Sequence, residues 1–187
     1  MDGVMMAATL KRGATLWVLA LAPLLSRAQQ PDSTAISDLL KEAESHAVLA
    51  LEDAEKLEAY SHSTVSAESH ANRLNVIRDH ANDLIKDFNQ LSSMREEGSP
   101  WQQEAVDRVN PLLHEMANNL STTIAHFREN KNRTQMTPFR DYVKANRELM
   151  GRTSQLISDF VNYGEIRAKK IALEKTLELP LTARQNE

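Results

Sequence analysis

Residues 36–57 read ISDLLKEAESHAVLALEDAEKL, and small or apolar side chains recur in this stretch at alternating intervals of four and three residues. Because an α-helix turns once every 3.6 residues, this spacing places the recurring side chains on one face of a helix about six turns long. Asp32 and Ser33 precede the stretch and are both suitable capping residues. The recurring positions are Ile36, Leu40, Ala43, Ala47, Ala50, Ala54 and Leu57.

Three later segments have the same kind of spacing, and each predicts an amphipathic helix. The chain has only five Gly and six Pro among its 187 residues, so it contains few residues that interrupt helices. We predict helices over 33–61, 66–96, 100–129 and 138–178. The apolar faces are expected at Ala67, His70, Leu74, Ile77, Ala81, Leu84, Phe88 and Leu91, then Val106, Val109, Leu113, Met116, Leu120, Thr123 and Phe127, then Phe139, Tyr142, Asn146, Leu149, Thr153, Leu156 and Phe160, with Val143, Met150 and Ile157 beside them.

Two helix starts are marked by capping residues followed by proline. Ser99 precedes Pro100, and Gln102 lies three residues after Ser99, which is the spacing of a capping box. Thr137 precedes Pro138 in the same way, so Thr137 is the predicted cap of the fourth helix.

The boundary between the first two helices is less clearly marked. Residues 61–66 read SHSTVS, all poor helix formers, and the apolar spacing slips by one residue across them. We interpret this stretch as a tight turn. One continuous helix with a skip in its repeat is the alternative, because no Gly or Pro marks the corner.

Four amphipathic segments joined by short connections predict an all-α fold, an up-down-up-down four-helix bundle over residues 29–179. An extended pair of hairpins remains an alternative arrangement. The first helix presents mostly Ala on its apolar face, which a neighbouring helix can approach closely. We expect this Ala-rich side to dock a partner protein or a second copy of the chain.

Residues 1–28 have the pattern of a cleaved signal peptide. Lys11 and Arg12 form a positive flank, an apolar run covers residues 13–25, and Ser26 and Ala28 supply the small residues of a cleavage site. The run is only thirteen residues long, which is shorter than the roughly 20 residues of a membrane span. We therefore expect cleavage after Ala28 and an exported protein, periplasmic or secreted. Residues 180–187 are expected to form a disordered tail.

The composition argues against several functions. The chain has no Cys, so it has neither disulfides nor a covalently attached haem. We find no paired metal-ligand motif and no Gly-rich phosphate loop. The net charge of −4 comes from mixed charges rather than from a basic patch that would bind nucleic acid. We therefore expect a noncatalytic protein without a cofactor that acts by protein–protein interaction and has no membrane span after cleavage.

The alternative hypothesis is a bundle that binds a divalent transition metal. In the predicted topology His62, His70, His126 and Asp141 meet at one end, and imidazole with carboxylate is a suitable ligand set for zinc, copper or nickel. His70 on an apolar face also fits an ordinary buried histidine that makes a hydrogen bond. A second layer of histidines is expected near mid-height in solvent-exposed positions beside the apolar faces, at His46, His80 and His114.

Overall fold

The computed structural model describes residues 30–178, and these residues are helical apart from short connections. The four long helices pack against each other, and the described part of the chain contains no strand. The predicted signal peptide over 1–28 and the predicted tail over 180–187 lie outside the described residues. The helices are α1 (Thr34–Ser61), α2 (Ala67–Ser93), α3 (Pro100–Glu129) and α4 (Thr137–Thr176), with a 3-10 turn at Arg95–Glu97 between α2 and α3.

The predicted turn between the first two helices is confirmed, and the alternative of one continuous helix is wrong. Ser66 has an extended backbone, with φ −64° and ψ 154°, so the helical path is broken before Ala67. The Ser66 hydroxyl accepts a hydrogen bond from the N–H of Ser69 at 3.1 Å. This bond satisfies one of the N–H groups that the first turn of α2 leaves unpaired.

The predicted cap of the fourth helix is wrong by one residue. Met136 has the extended backbone of a cap, and Thr137 is already helical. Pro138 consequently lies in the first turn of α4, where its missing N–H costs no helical hydrogen bond. The second helix also ends earlier than expected, at Ser93, and the chain continues through the 3-10 turn.

Contacts at the two ends define how the helices are arranged. Ser33, the cap of α1, is hydrogen-bonded to Gln102 in the first turn of α3. At the opposite end, Arg140 in the first turn of α4 donates a hydrogen bond to the carbonyl of Ser61, the last residue of α1, at 3.0 Å. Helices α1 and α3 therefore start at the same end of the molecule, whereas α4 starts at the other.

The Ala-rich side of α1 lies inside the molecule. Ala43, Ala47, Ala50 and Ala54 are each at most 2% exposed. Helices α2 and α4 both pack against α1, and the small side chains let them come close. The expectation that this side docks a partner is therefore wrong, because helices of the same chain already occupy it.

The apolar face of α4 is rotated from the predicted one. This helix packs against both α1 and α3, so its buried face is centred between these two neighbours. Three residues that the spacing placed beside the apolar face are fully buried, namely Val143, Met150 and Ile157. Three residues that the spacing placed on the apolar face are only partly buried, namely Tyr142, Leu156 and Phe160.

The side chain of Gln102 joins the start of α3 to the start of α1. Its carbonyl oxygen accepts from the N–H of Ser99 at 3.0 Å, which confirms this half of the predicted capping box. The same oxygen accepts from the N–H of Ser33 at 2.9 Å, and the amide nitrogen donates to the Ser33 carbonyl at 2.8 Å and to the Ser37 hydroxyl at 3.0 Å. Gln102 is fully buried, so these bonds replace all contact of its amide with water.

We predict that Gln102→Ala lowers the free energy of unfolding by about 2–4 kcal/mol, because it leaves the N–H groups of Ser33 and Ser99 without their acceptor. Urea denaturation followed by circular dichroism measures the loss. The matched control is Gln103→Ala, which removes a single bond to the carbonyl of Gly98 and should cost less than about 1 kcal/mol. Equal losses in the two variants would contradict this role of Gln102.

Candidate functional site

The structure distributes the four predicted metal ligands over different environments. His62 and Asp141 are exposed, His126 is partly buried and His70 is fully buried. Within residues 30–178, no three His, Cys, Asp or Glu side chains lie close enough together to hold a metal ion.

Aromatic packing dominates the end of the molecule where these histidines lie. The Nδ1 of His70 is 2.9 Å from the carbonyl of Ser66, so Nδ1 carries a proton and donates it. Its Nε2 has no hydrogen-bond partner among the described residues. The rings of His70 and His126 both pack on Phe139, with centroids 5.7 and 6.5 Å from its centroid. Both imidazoles thus have aromatic neighbours on the inner side of this end.

Two other histidines pair with carboxylates across the interface between α1 and α2. The Nδ1 of His46 is 2.7 Å from an oxygen of Asp87, and the Nε2 of His80 is 3.4 Å from an oxygen of Asp53. Both histidines are partly buried, so their predicted solvent exposure is wrong, whereas His114 is exposed as predicted. Positions beside the apolar faces of α1 and α2 face each other across the interface, which explains the burial.

Asp53 is a nearly buried carboxylate with three basic neighbours. Besides His80, it accepts from the guanidinium of Arg73 at 2.5 Å and from the amino group of Lys56 at 3.3 Å. Since a buried charge without partners is strongly unfavourable, these contacts compensate for the removal of Asp53 from water.

Asp87 is also buried but has fewer partners. Burial raises the pKa of the Asp87 carboxyl, the hydrogen bond from His46 acts in the opposite direction, and the nearby carboxylates of Glu42 and Asp83 raise it further. The ionised form of Asp87 is therefore less favourable in the folded chain than in the unfolded one.

We predict that the free energy of unfolding of Asp87→Asn increases relative to that of the wild type as the pH rises. The folded wild type holds this proton more tightly than the unfolded chain, so it loses stability as the pH rises from the ordinary Asp pKa of 3.8 through the raised one. Asparagine carries no such proton. Denaturant unfolding of both proteins at several pH values from acidic to neutral measures the difference, and a difference that stays constant would contradict the prediction.

A junction of aromatic and charged residues holds α4 where it leaves the other helices. Asp32 accepts a hydrogen bond from the indole N–H of Trp101 at 2.8 Å and another from the guanidinium of Arg167 at 3.0 Å. The indole packs edge-on against Tyr163, with centroids 5.5 Å apart. It also lies so close to Gly164 that a Cβ there would be 2.7 Å from the ring. Glycine is therefore required at position 164 by close approach.

We predict opposite effects for the same substitution at two glycines of α4. At Gly151 an added Cβ would be 3.7 Å from Leu51, an ordinary contact, so Gly151→Ala should raise the free energy of unfolding by about 0.5–1 kcal/mol through helix propensity. At Gly164 the added methyl group displaces the indole of Trp101, so Gly164→Ala should lower the free energy of unfolding. Urea denaturation of both variants measures the effects, and a gain at Gly164 would refute the assigned packing.

From Ile166 onward, within and after this junction, α4 has an exposed apolar side. Ile166, Leu173 and Leu177 are 66%, 61% and 63% exposed. At 100° per residue they lie within about 40° of one another around the helix axis. We call these three residues the α4 stripe. Residues 169–178 are all exposed except Glu174, which is partly exposed, so the other described helices do not cover this end.

The fold and these sites define an all-helical protein of four packed helices. No protein-family model matches the chain, and neither a curated protein nor a solved structure gives a match. Among the described helices, none combines the length and the apolar character needed to cross a membrane. A function for this chain is therefore inferred from its own residues.

Proposed function

We propose that this chain is an exported, noncatalytic up-down-up-down four-helix bundle that acts by binding a helix of another polypeptide chain. The observation that carries the proposal is the α4 stripe, in which three large apolar side chains are aligned and exposed at the C-terminal end of α4, where Leu177 is the residue that follows the last turn. Single exposed apolar residues are ordinary on protein surfaces, whereas an aligned set is typical of an interaction surface.

The spacing of the stripe supports a helix as the bound element. Ile166, Leu173 and Leu177 follow one another at intervals of seven and four residues. Helix-binding surfaces present apolar anchors at such intervals, because side chains one and two turns apart enter the same groove of the partner. The junction at Asp32 supports the proposal as well, since its bond to Arg167 fixes the direction of α4 at the first residue of the stripe, Ile166.

The other parts of the proposal rest on the sequence. Export is inferred from the pattern of residues 1–28, and the noncatalytic character from a sequence in which we find no catalytic or cofactor motif. The metal-binding alternative would rest on His70, whose Nε2 has no described partner, and this single atom does not make a site.

We predict that Leu173→Glu reduces binding to the partner at least tenfold, because a carboxylate would lose its water in the centre of the apolar contact. The matched control is Ile171→Glu, which places the same charge on the same helix about 160° away from Leu173. Chemical crosslinking in the export compartment, followed by purification of each variant, measures the complexes.

Complexes that form with the wild type and with Ile171→Glu but disappear with Leu173→Glu are the expected result. Circular dichroism and thermal unfolding should show the same helical content in all three proteins, because both positions are on the surface. Complexes that survive equally in both variants would show that the α4 stripe is not the binding surface.

A further inference from the structure

We infer that Asn132 is an N-glycosylation site of the exported chain, whereas Asn119 is not modified. The group that Asn132 accepts is an oligosaccharide, attached covalently to its side-chain amide. This inference goes beyond the proposed function and shares with it only the export of the chain, because asparagine-linked oligosaccharides belong to secreted proteins.

Asn132 and Asn119 both stand in the acceptor sequence for N-glycosylation, which is Asn, any residue except Pro, and then Ser or Thr. Residues 132–134 read NRT and residues 119–121 read NLS. A match of three residues occurs often by chance, so the structure around each Asn decides whether it is an acceptor. A bulky, hydrated oligosaccharide requires a position on a surface loop.

Asn132 lies on such a loop, the connection between α3 and α4. Residues 130–136 belong to neither helix, and the side chain of Asn132 is exposed. Backbone groups close the first turn of the connection, since the N–H of Arg133 donates to the carbonyl of Asn130 at 2.8 Å. An oligosaccharide on the Asn132 amide therefore extends into solvent and leaves this turn intact.

The burial of Thr134 determines when the oligosaccharide is added. Its hydroxyl is part of the acceptor sequence, but Thr134 is only 7% exposed in the folded chain. The transferring enzyme therefore reaches the sequence before α4 packs against the other helices. Residues 132–134 are then outside any helix, and in an extended segment the side chains of residues two apart lie on the same side.

Asn119 lies inside α3, a helix of 30 residues, and this position hides its acceptor sequence. At 100° per residue, the side chains of Asn119 and Ser121 are separated by about 200° around the helix axis, so they cannot enter one enzyme site together. A helix of this length is stable enough to form from local contacts, and it forms much faster than a ribosome adds residues.

The finished fold also lacks room for an oligosaccharide at Asn119. This residue is partly buried and lines a groove between α3 and α4. Glu115 of α3 and Arg152 of α4, which line the same groove, form an ion pair at 3.7 Å. A sugar attached to Asn119 would compete with this contact between the two helices.

The transfer to Asn132 is a substitution at the first sugar of the oligosaccharide. A transferase of the secretory pathway supplies the oligosaccharide on a polyprenyl diphosphate carrier. The bond between the anomeric carbon and the diphosphate oxygen breaks, and a bond from the same carbon to Nδ2 of Asn132 forms. Nδ2 loses one proton, the polyprenyl diphosphate leaves with the electron pair, and nothing is oxidised or reduced.

An oligosaccharide on Asn132 is far from the α4 stripe. The connection that carries Asn132 precedes Thr137, the first residue of α4, and Ile166 lies roughly 43 Å further along this helix at 1.5 Å per residue. Glycosylation and helix binding therefore occupy opposite ends of the molecule and do not obstruct each other.

The test uses the full chain produced in cultured insect cells, with protein collected from the medium. Peptide N-glycosidase F removes the oligosaccharide and converts the modified asparagine to aspartate, so mass spectrometry locates the modified position. We expect one oligosaccharide per chain, at Asn132, in the wild type and in the matched control Asn119→Gln. Asn132→Gln should carry none.

Substitutions at Thr134 test whether the acceptor sequence itself is recognised. Thr134→Ser keeps the hydroxyl, so modification of Asn132 should persist. Thr134→Ala removes the hydroxyl and should abolish the modification although Asn132 is unchanged. Protein inside the cells is measured as well as secreted protein, so that a variant that folds poorly is still scored.

Three results would overturn the inference. Secreted wild-type protein without an oligosaccharide would overturn the site and leave export standing. An oligosaccharide on Asn119, or one that persists in Asn132→Gln, would show that the helix and the loop do not determine the acceptor. Wild-type protein that stays in the cytosol with residues 1–28 attached would overturn both the modification and the export part of the proposed function.

Discussion

The buried carboxamide of Gln102 joins two helix starts that are 69 residues apart in the chain. Because it pairs with the backbone of Ser33, it also brings the residues next to each of them, Asp32 and Trp101, within hydrogen-bond distance of each other. Asp32 then holds Arg167 of α4. The direction in which α4 leaves the other helices, and with it the position of the α4 stripe, thus depends on a contact between the starts of two other helices, α1 and α3.

The interface between α1 and α2 shows how the same fold accommodates charge. Asp53 is surrounded by basic groups, whereas burial raises the pKa of Asp87, which has His46 as its main partner. Buried ion pairs contribute little net stability because desolvation offsets their attraction. Their contribution here is geometric, since each pair forms only when α1 and α2 are aligned in one register, and that register sets the Ser61–Ser66 corner near His70.

The helices were predictable from the sequence, whereas the packing around His70 was predictable only in part. The spacing placed His70 on an apolar face, and its burial follows from that position. The same spacing did not show that Phe139 would pack against both His70 and His126, because the contact depends on how far α4 is rotated. That rotation differs from the predicted one because α4 packs on two helices at once, a condition that periodicity along a single helix does not contain.

From the sequence alone, the four helices, several of their ends and most of their buried positions were determined, because periodicity and capping depend on residues within a few turns of each other. Only the tertiary structure decided that the alanines of α1 are covered by α2 and α4, that Gln102 also binds Ser33, and that His46 reaches Asp87. It also decided that Ile166, Leu173 and Leu177 remain exposed. Each of these depends on which helices are neighbours and where a neighbour ends, and such information is contained in no single segment of the chain.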